Sequence, residues 1–266
     1  MKSIAAALLC AWTSLALAQD PARGRSQLEH VPPDPPQSHV DHDMSYREMA
    51  QMMGMDDRRR FGKVMVDRLE WHDGDDGSQY AWEARAWYGG DYHKAWLEAE
   101  GERVEDSAHE SRIEGGWDRI ISPWWSARVG LRHDAGEGQA RDWLGAGVAG
   151  LAPGFIESEA MIYFGEDGRT AVRFKFERDF LFTQRVVLQP EFEVDAFGKD
   201  DPENLIGSGL SSLKFGLRLR YEIRREFAPY IGAHWAGHFG DTSDLRRAAG
   251  ESTDEFTWLL GLRAWF

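Results

Sequence analysis

From Phe61 to the last residue, apolar and polar side chains alternate with a period of two through stretches of ten or more residues. After residue 18 no apolar run approaches the roughly 18 residues that a transmembrane helix needs. A period of two puts successive side chains on opposite faces of an extended strand. Val172-Arg-Phe-Lys-Phe-Glu177 alternates in this way, as does Leu213-Lys-Phe-Gly-Leu-Arg-Leu-Arg-Tyr-Glu-Ile223. The final segment, 256–266, puts Phe256, Trp258, Leu260, Leu262, Ala264 and Phe266 on one face. Charge collects on the other face of such segments: Arg173, Lys175 and Glu177; Glu191, Glu193 and Asp195; Lys214, Arg218, Arg220 and Glu222.

About twelve segments of this kind can be drawn: 61–71, 79–89, 92–103, 108–121, 124–134, 140–151, 155–164, 168–179, 184–196, 209–223, 228–239 and 255–266. Every second connection is tight, such as Gly90-Asp91, Ser122-Pro123 and Ala152-Pro153-Gly154. The others, including His72 to Ser78, Ala196 to Ser208 and Gly240 to Asp254, read as longer, acidic loops. Short turns at one end and long loops at the other mark an outer-membrane barrel, and an even strand count returns both ends to the short-turn, periplasmic side. In a bilayer the charged rows must face inward. A soluble sandwich also alternates, but its strands are usually about 5–6 residues long. These are about twice that length and carry Trp71, Tyr88, Trp117, Trp258 and Trp265 near their ends, as aromatic girdles would. The expected fold is therefore all-β, an antiparallel transmembrane β-barrel of about 12 strands with a flexible Met/His-containing N-terminal arm. Pro190 fits a strand interior badly, and a local bulge is expected there.

The net charge of −14 argues against nucleic-acid partners and favours cationic ligands. Residues 1–18 read as a secretory signal peptide: Lys2, an apolar run from Ile4 to Trp12, and Ala16-Leu17-Ala18 before Gln19. The sole cysteine, Cys10, falls inside this leader, so the exported chain has no disulfide and no thiolate ligand. The bulky Leu9 before Cys10 speaks against a lipoprotein site. Residues 19–59 form a separate region, Pro-rich and then Met/His-rich, expected to be a loosely ordered periplasmic arm; residues 60–266 form the barrel. Ser45 to Met53 suits a short helix.

Within the arm, His39, His42, Met44, Met49, Met52, Met53 and Met55 are candidate metal ligands. Thioether and imidazole suit Cu(I), and imidazole suits Cu(II). If helical, Met49, Met52 and Met53 share a face. The competing reading is an apolar stripe that packs at the barrel mouth. Within the barrel, His234 and His238 fall on the polar face of the eleventh strand with Tyr230. They are about 13 Å apart along a strand, too far to share one ion, so each needs partners from other strands. Glu157, Glu159 and Met161 share the luminal face of the seventh strand. The competing readings are hydrogen-bonded luminal histidines and salt-bridge ladders that fill and stiffen the barrel. There is no Gly-rich phosphate loop, no His-Glu-x-x-His and no visible Ser-His pairing, so no enzyme is expected.

Several blocks resemble the copper resistance protein B family. They are Asp67-Arg-Leu-Glu-Trp71, the run 87–101 (Trp-Tyr-Gly-Gly-Asp-Tyr-His-Lys-Ala-Trp-Leu-Glu-Ala-Glu-Gly), Gly150-Leu-Ala-Pro153, the run 183–190, Gly207-Ser-Gly-Leu210 and the run 216–232. The resemblance implies an outer-membrane barrel that binds or passes copper and has a Met/His-rich periplasmic arm. Family arms often repeat Asp-His-x-x-Met units; here only Asp41-His42-Asp-Met44 and the following methionines match, which suits delivery of one or a few ions rather than storage. At the turn after Pro153, Gly154 stands where the family would suggest a bulky aromatic.

The resulting expectation is an outer-membrane copper-binding protein of copper homeostasis, capturing copper through the arm and passing it along luminal stations at Glu157, Glu159, Met161, His234 and His238. Its expected partners are copper ions, outer-membrane lipid and lipopolysaccharide, and a periplasmic copper-binding protein, with the barrel a monomer. The alternatives are a structural barrel and a general cation-selective porin.

Overall fold

The computed structural model describes residues 45, 48–49, 52–53, 59–74, 77–104, 109–136 and 138–266. In the N-terminal unit the described residues Glu48, Met49 and Met52 are helical. Ser45 starts this turn: its hydroxyl and backbone N–H donate to the Glu48 carboxylate at 2.8 and 2.9 Å, a reciprocal capping arrangement.

The second unit is a sheet that closes on itself. Its strands are β1 (Phe61–Gly74), β2 (Gly77–Gly89), β3 (His93–Val104), β4 (His109–Ile120), β5 (Trp125–Ala135), β6 (Arg141–Ala152), β7 (Ile156–Gly165), β8 (Thr170–Glu177), β9 (Phe180–Leu181), β10 (Val186–Phe197), β11 (Gly209–Tyr221), β12 (Phe227–His238) and β13 (Asp254–Trp265). Each pairs antiparallel with its neighbours, and β1 pairs with β13, so no edge is left open. The two-residue β9 continues β8 against β10, so the barrel wall has twelve spanning strands.

The pairing corrects the expected bulge at Pro190. The β10–β11 register runs unbroken through Pro190 opposite Leu217. The interruption falls in the neighbouring strand, where Arg178 and Asp179 separate β8 from β9, and pairing resumes in the same register. The missing Pro N–H thus costs one rung of the ladder without shifting a residue. The bulges lie elsewhere. One is at Asp67, where register shifts against both β2 and β13. It turns two consecutive charged residues, Asp67 and Arg68, into the lumen, so that Val64 and Leu69 on either side both stay exposed to the outside.

Two further expectations need correction. The first connection is short, because β1 extends to Gly74 and pairs with Gly77 at the start of β2. Residue 72 is therefore a strand residue. The expected 240–254 loop contains helix α1 (Gly240–Ala249), closed by Gly250 in the left-handed region. At the opposite end the 153–155 turn uses two left-handed residues in succession, Gly154 (φ 88°) and Phe155 (φ 59°). Glycine takes this conformation at no steric cost. An aromatic at 154 would place a side chain in it too.

The outward face is apolar. Leu97, Ile113, Val129, Leu131, Leu144, Ile162, Phe174, Leu217, Leu219 and Ile231 are exposed at mid-strand. Tyr88, Trp117 and Trp124 ring the short-turn end, and Trp71, Tyr80, Trp82 and Trp258 the long-loop end. This is an apolar band between two aromatic girdles. Trp265 does not belong to them: it shares the inward parity of Thr257 and Arg263, donates to the Arg225 carbonyl at 2.7 Å and lies under the Lys63 ammonium.

Candidate functional site

The barrel interior is a charged core. At mid-height Arg68 bridges Glu83 at 2.8 Å and Glu191 at 2.6 Å. Arg218 joins Glu191 to Glu70, each at 2.6 Å, and Lys175 reaches Glu83 at 3.1 Å. Arg85 and Arg263 both pair with Asp67. This layer ties β1, β2, β8, β10, β11 and β13 together across the lumen. A second cluster links Arg173 to Glu193, and Arg112 to Glu100 and Asp134. Arg128 alone meets Glu98, Asp118 and Glu159 and lies over the Trp96 ring. Glycine makes room for such large luminal groups: a Cβ at Gly130 would meet Trp96 at 2.9 Å.

Above the mid-height layer a cavity of about 520 Å³ runs to the long-loop end. Carboxylates (Glu100, Glu102, Glu110, Asp134, Glu203, Glu251) and basic side chains (Arg112, Arg132, Arg141, Lys199, Lys214, Arg246) are interspersed along its wall, and Arg68, Glu83 and Glu191 stand at its inner end. The 198–208 loop folds over its rim. Asp201 accepts from Arg141 at 2.8 and 2.9 Å and from Asn204 at 2.9 Å. The Arg141 guanidinium holds the Asp201 carboxyl below its ordinary range. Helix α1 is pinned beside this loop by Thr242, whose hydroxyl accepts from Gly207 N–H at 2.8 Å and donates to Ser211 at 2.9 Å.

The predicted luminal residues do not converge. Glu159 accepts from Arg128 at 2.7 Å, while Glu157 is exposed opposite Glu177. Met161 does face inward, but it is 1% exposed, sealed in an apolar cluster with Trp143, Tyr163 and Ala171. His234 lines the cavity. His238 is four residues further along β12, and its Nδ1 is buried with no hydrogen-bond partner among the described residues. In the arm, Met52 and Met53 are exposed and Met49 half-buried. His39, His42, Met44 and Met55 lie outside the described residues. Among the described residues no group of three or more His, Cys, Asp or Glu is arranged to hold a metal ion.

One residue escapes sequence reasoning. His72, on β1, brings its ring within 5.8 Å of the His234 ring, at 66° between planes. Its Nε2 lies 2.8 Å from Glu70 and its Nδ1 3.1 Å from Thr257. The signal was present in the alternation Glu70, Trp71, His72, but it is lost if the strand is ended at Trp71.

A closed antiparallel barrel with an apolar outer belt and a charged lumen defines an outer-membrane β-barrel protein. The NanC porin has this fold: the two superpose with a TM-score of 0.51 at 11% identity, over 76% of this chain and 98% of that one. The family described as Copper resistance protein B precursor (CopB) matches residues 60–266. Copper resistance protein B of Escherichia coli is 40% identical over 203 residues, covering 76% of this chain and 69% of that protein. The Copper resistance protein B homolog of Pseudomonas syringae pv. tomato is 39% identical over 202 residues, with the same coverage of each. The chain belongs to the copper resistance protein B family.

Proposed function

We propose that this barrel handles copper at the outer membrane: the N-terminal arm captures the ion and the lumen passes it. The reading is carried by one observation, a polar, charge-lined cavity with a histidine in its wall, inside a barrel of a copper-resistance family. Its carboxylates are offset by basic side chains, so in this reading selection of the ion falls to the imidazole rather than to net charge. Single, scattered ligands bind weakly enough to release, as conduction requires. In this reading the arm supplies the soft donors His39, His42, Met44, Met49, Met52, Met53 and Met55, on the periplasmic side. Glu157, Glu159, His234 and His238 act as luminal stations. Met161 would have to leave its packed site to take part, so it is the weakest of the set. The exported chain then divides at about residue 59 into arm and barrel, behind a leader of residues 1–18. A periplasmic copper-binding protein is the natural partner of the arm, and the barrel acts as a monomer without catalysis.

The ion-pair layer at mid-height favours a second reading, in which the lumen is closed and copper stays with the arm. Copper flux into liposomes separates the two. Wild type, a variant lacking residues 19–59 and His234→Ala/His238→Ala are compared. The expected outcome is lower copper affinity without the arm and slower flux in the double variant. Arm-dependent binding with no flux in any of them would leave only the second reading.

A further inference from the structure

We propose that His72 and His234 together form a copper(II) site in the wall of the lumen, with Glu70 holding His72 in register. The inference rests on the reading that copper is what the barrel carries, and adds to it a defined ligand pair. His72 lies on β1 and His234 on β12, separated by β13, whose Thr257 is directly opposite His234. A metal 2.0–2.1 Å from an imidazole nitrogen stands roughly 3.2 Å from the ring centre. Two rings sharing one ion at a bent angle are then roughly 5–6.3 Å apart. The observed 5.8 Å lies in that range without movement of the backbone.

The surroundings of His72 resemble those of a metal-bound histidine. The Glu70 carboxylate can only accept, so Nε2, at 2.8 Å, carries the proton. That leaves the Nδ1 lone pair to accept from the Thr257 hydroxyl, 3.1 Å away, on the His234 side. An ion about 2.0–2.1 Å from Nδ1 takes that hydroxyl's place, so binding requires the Thr257 side chain to rotate. A carboxylate on the far nitrogen fixes the tautomer and raises the basicity of the near one. Glu70 is itself held by Arg218 at 2.6 Å and by the Tyr230 hydroxyl at 2.8 Å. His234 is the open half of the pair: it lines the cavity and has no hydrogen-bond partner among the described residues. Two imidazoles with solvent oxygens make a nitrogen–oxygen donor set, which suits Cu(II). The ligand positions left to solvent give the ion a way out toward the cavity.

The test is electron paramagnetic resonance of the full-length protein in detergent with one equivalent of Cu(II). Wild type, His39→Ala/His42→Ala, and the latter combined with His72→Gln or His234→Gln are compared. Glutamine at 72 keeps a donor for Glu70, and retarded migration of unheated protein on a gel reports the folded barrel. The arm-substituted protein is expected to keep a species with two coupled nitrogens. Each glutamine is expected to remove one nitrogen and weaken binding by roughly 10- to 100-fold, the effect that even a supporting residue has. Unchanged nitrogen coupling and affinity in both glutamine variants would overturn the site. Loss of all bound copper on substituting His39 and His42 would also overturn it, while leaving capture by the arm standing. Full retention there, with loss in the glutamine variants, supports the luminal pair and counts against capture by the arm histidines.

Discussion

Arg218 shows how the lumen converts charge into shape. It is 3% exposed and bonds Glu70 on one side and Glu191 on the other, both at 2.6 Å. Its sequence signal is only parity: Lys214, Arg218 and Arg220 fall on one face of β11. Parity says that the residue points inward, and cannot say which of a dozen strands supplies its partner. Glu70 is 148 positions away in sequence. Removing one member of a buried ion pair leaves the other charge stranded, at a cost of about 3–5 kcal/mol. Arg218→Met is therefore expected to lower the temperature at which the barrel loses its gel-mobility shift, whereas replacing exposed Arg119 is not. Met161 makes the converse point. Its inward parity was legible, but Trp143 and Tyr163 around it come from other positions in the sheet, and they decide that it packs.

Strand limits and faces were readable to within a few residues, because lipid outside and charge inside impose alternation on every strand. What alternation hid was the bulge at Asp67. Asp67 and Arg68 are adjacent and both point inward, so strict counting along β1 would assign the two halves of the strand to opposite faces. A test follows from the register. Deleting Asp67 removes the extra residue and keeps Lys63, Met65, Arg68, Glu70 and His72 inward; the loss is confined to the pairs with Arg85 and Arg263. Deleting Leu69 either turns Glu70 and His72 toward lipid with the bulge kept, or closes the bulge and puts Arg68 in the outward place of Leu69. In both cases a charge meets lipid, where it is unfavourable by up to a few kcal/mol. The expected result is an assembled barrel for the first deletion and failed assembly for the second, read by gel mobility and protease resistance in vesicles. Pro190 teaches a related lesson: a missing N–H was visible in sequence, but the neighbouring strand absorbed it.

For the barrel as a whole, the ion-pair layer divides the lumen. The cavity above it ends where Arg68 meets Glu83 and Glu191. If that layer is the barrier to ions, Arg68→Ala/Glu191→Ala removes its centre while leaving the net charge unchanged. Single-channel conductance in planar bilayers is expected to rise severalfold over wild type. Equal conductance would place the barrier elsewhere.

The alternation, the turn spacing and the family blocks were enough to establish an antiparallel outer-membrane barrel with a charged interior, since these are local properties that the two solvents impose on each strand separately. The meeting of His72 with His234, the burial of Met161 and the partners in the ion-pair layer were decided only by tertiary structure. Closing the sheet brings β1 beside β13 and within reach of β12, and no local pattern carries the distance between residues so far apart along the chain.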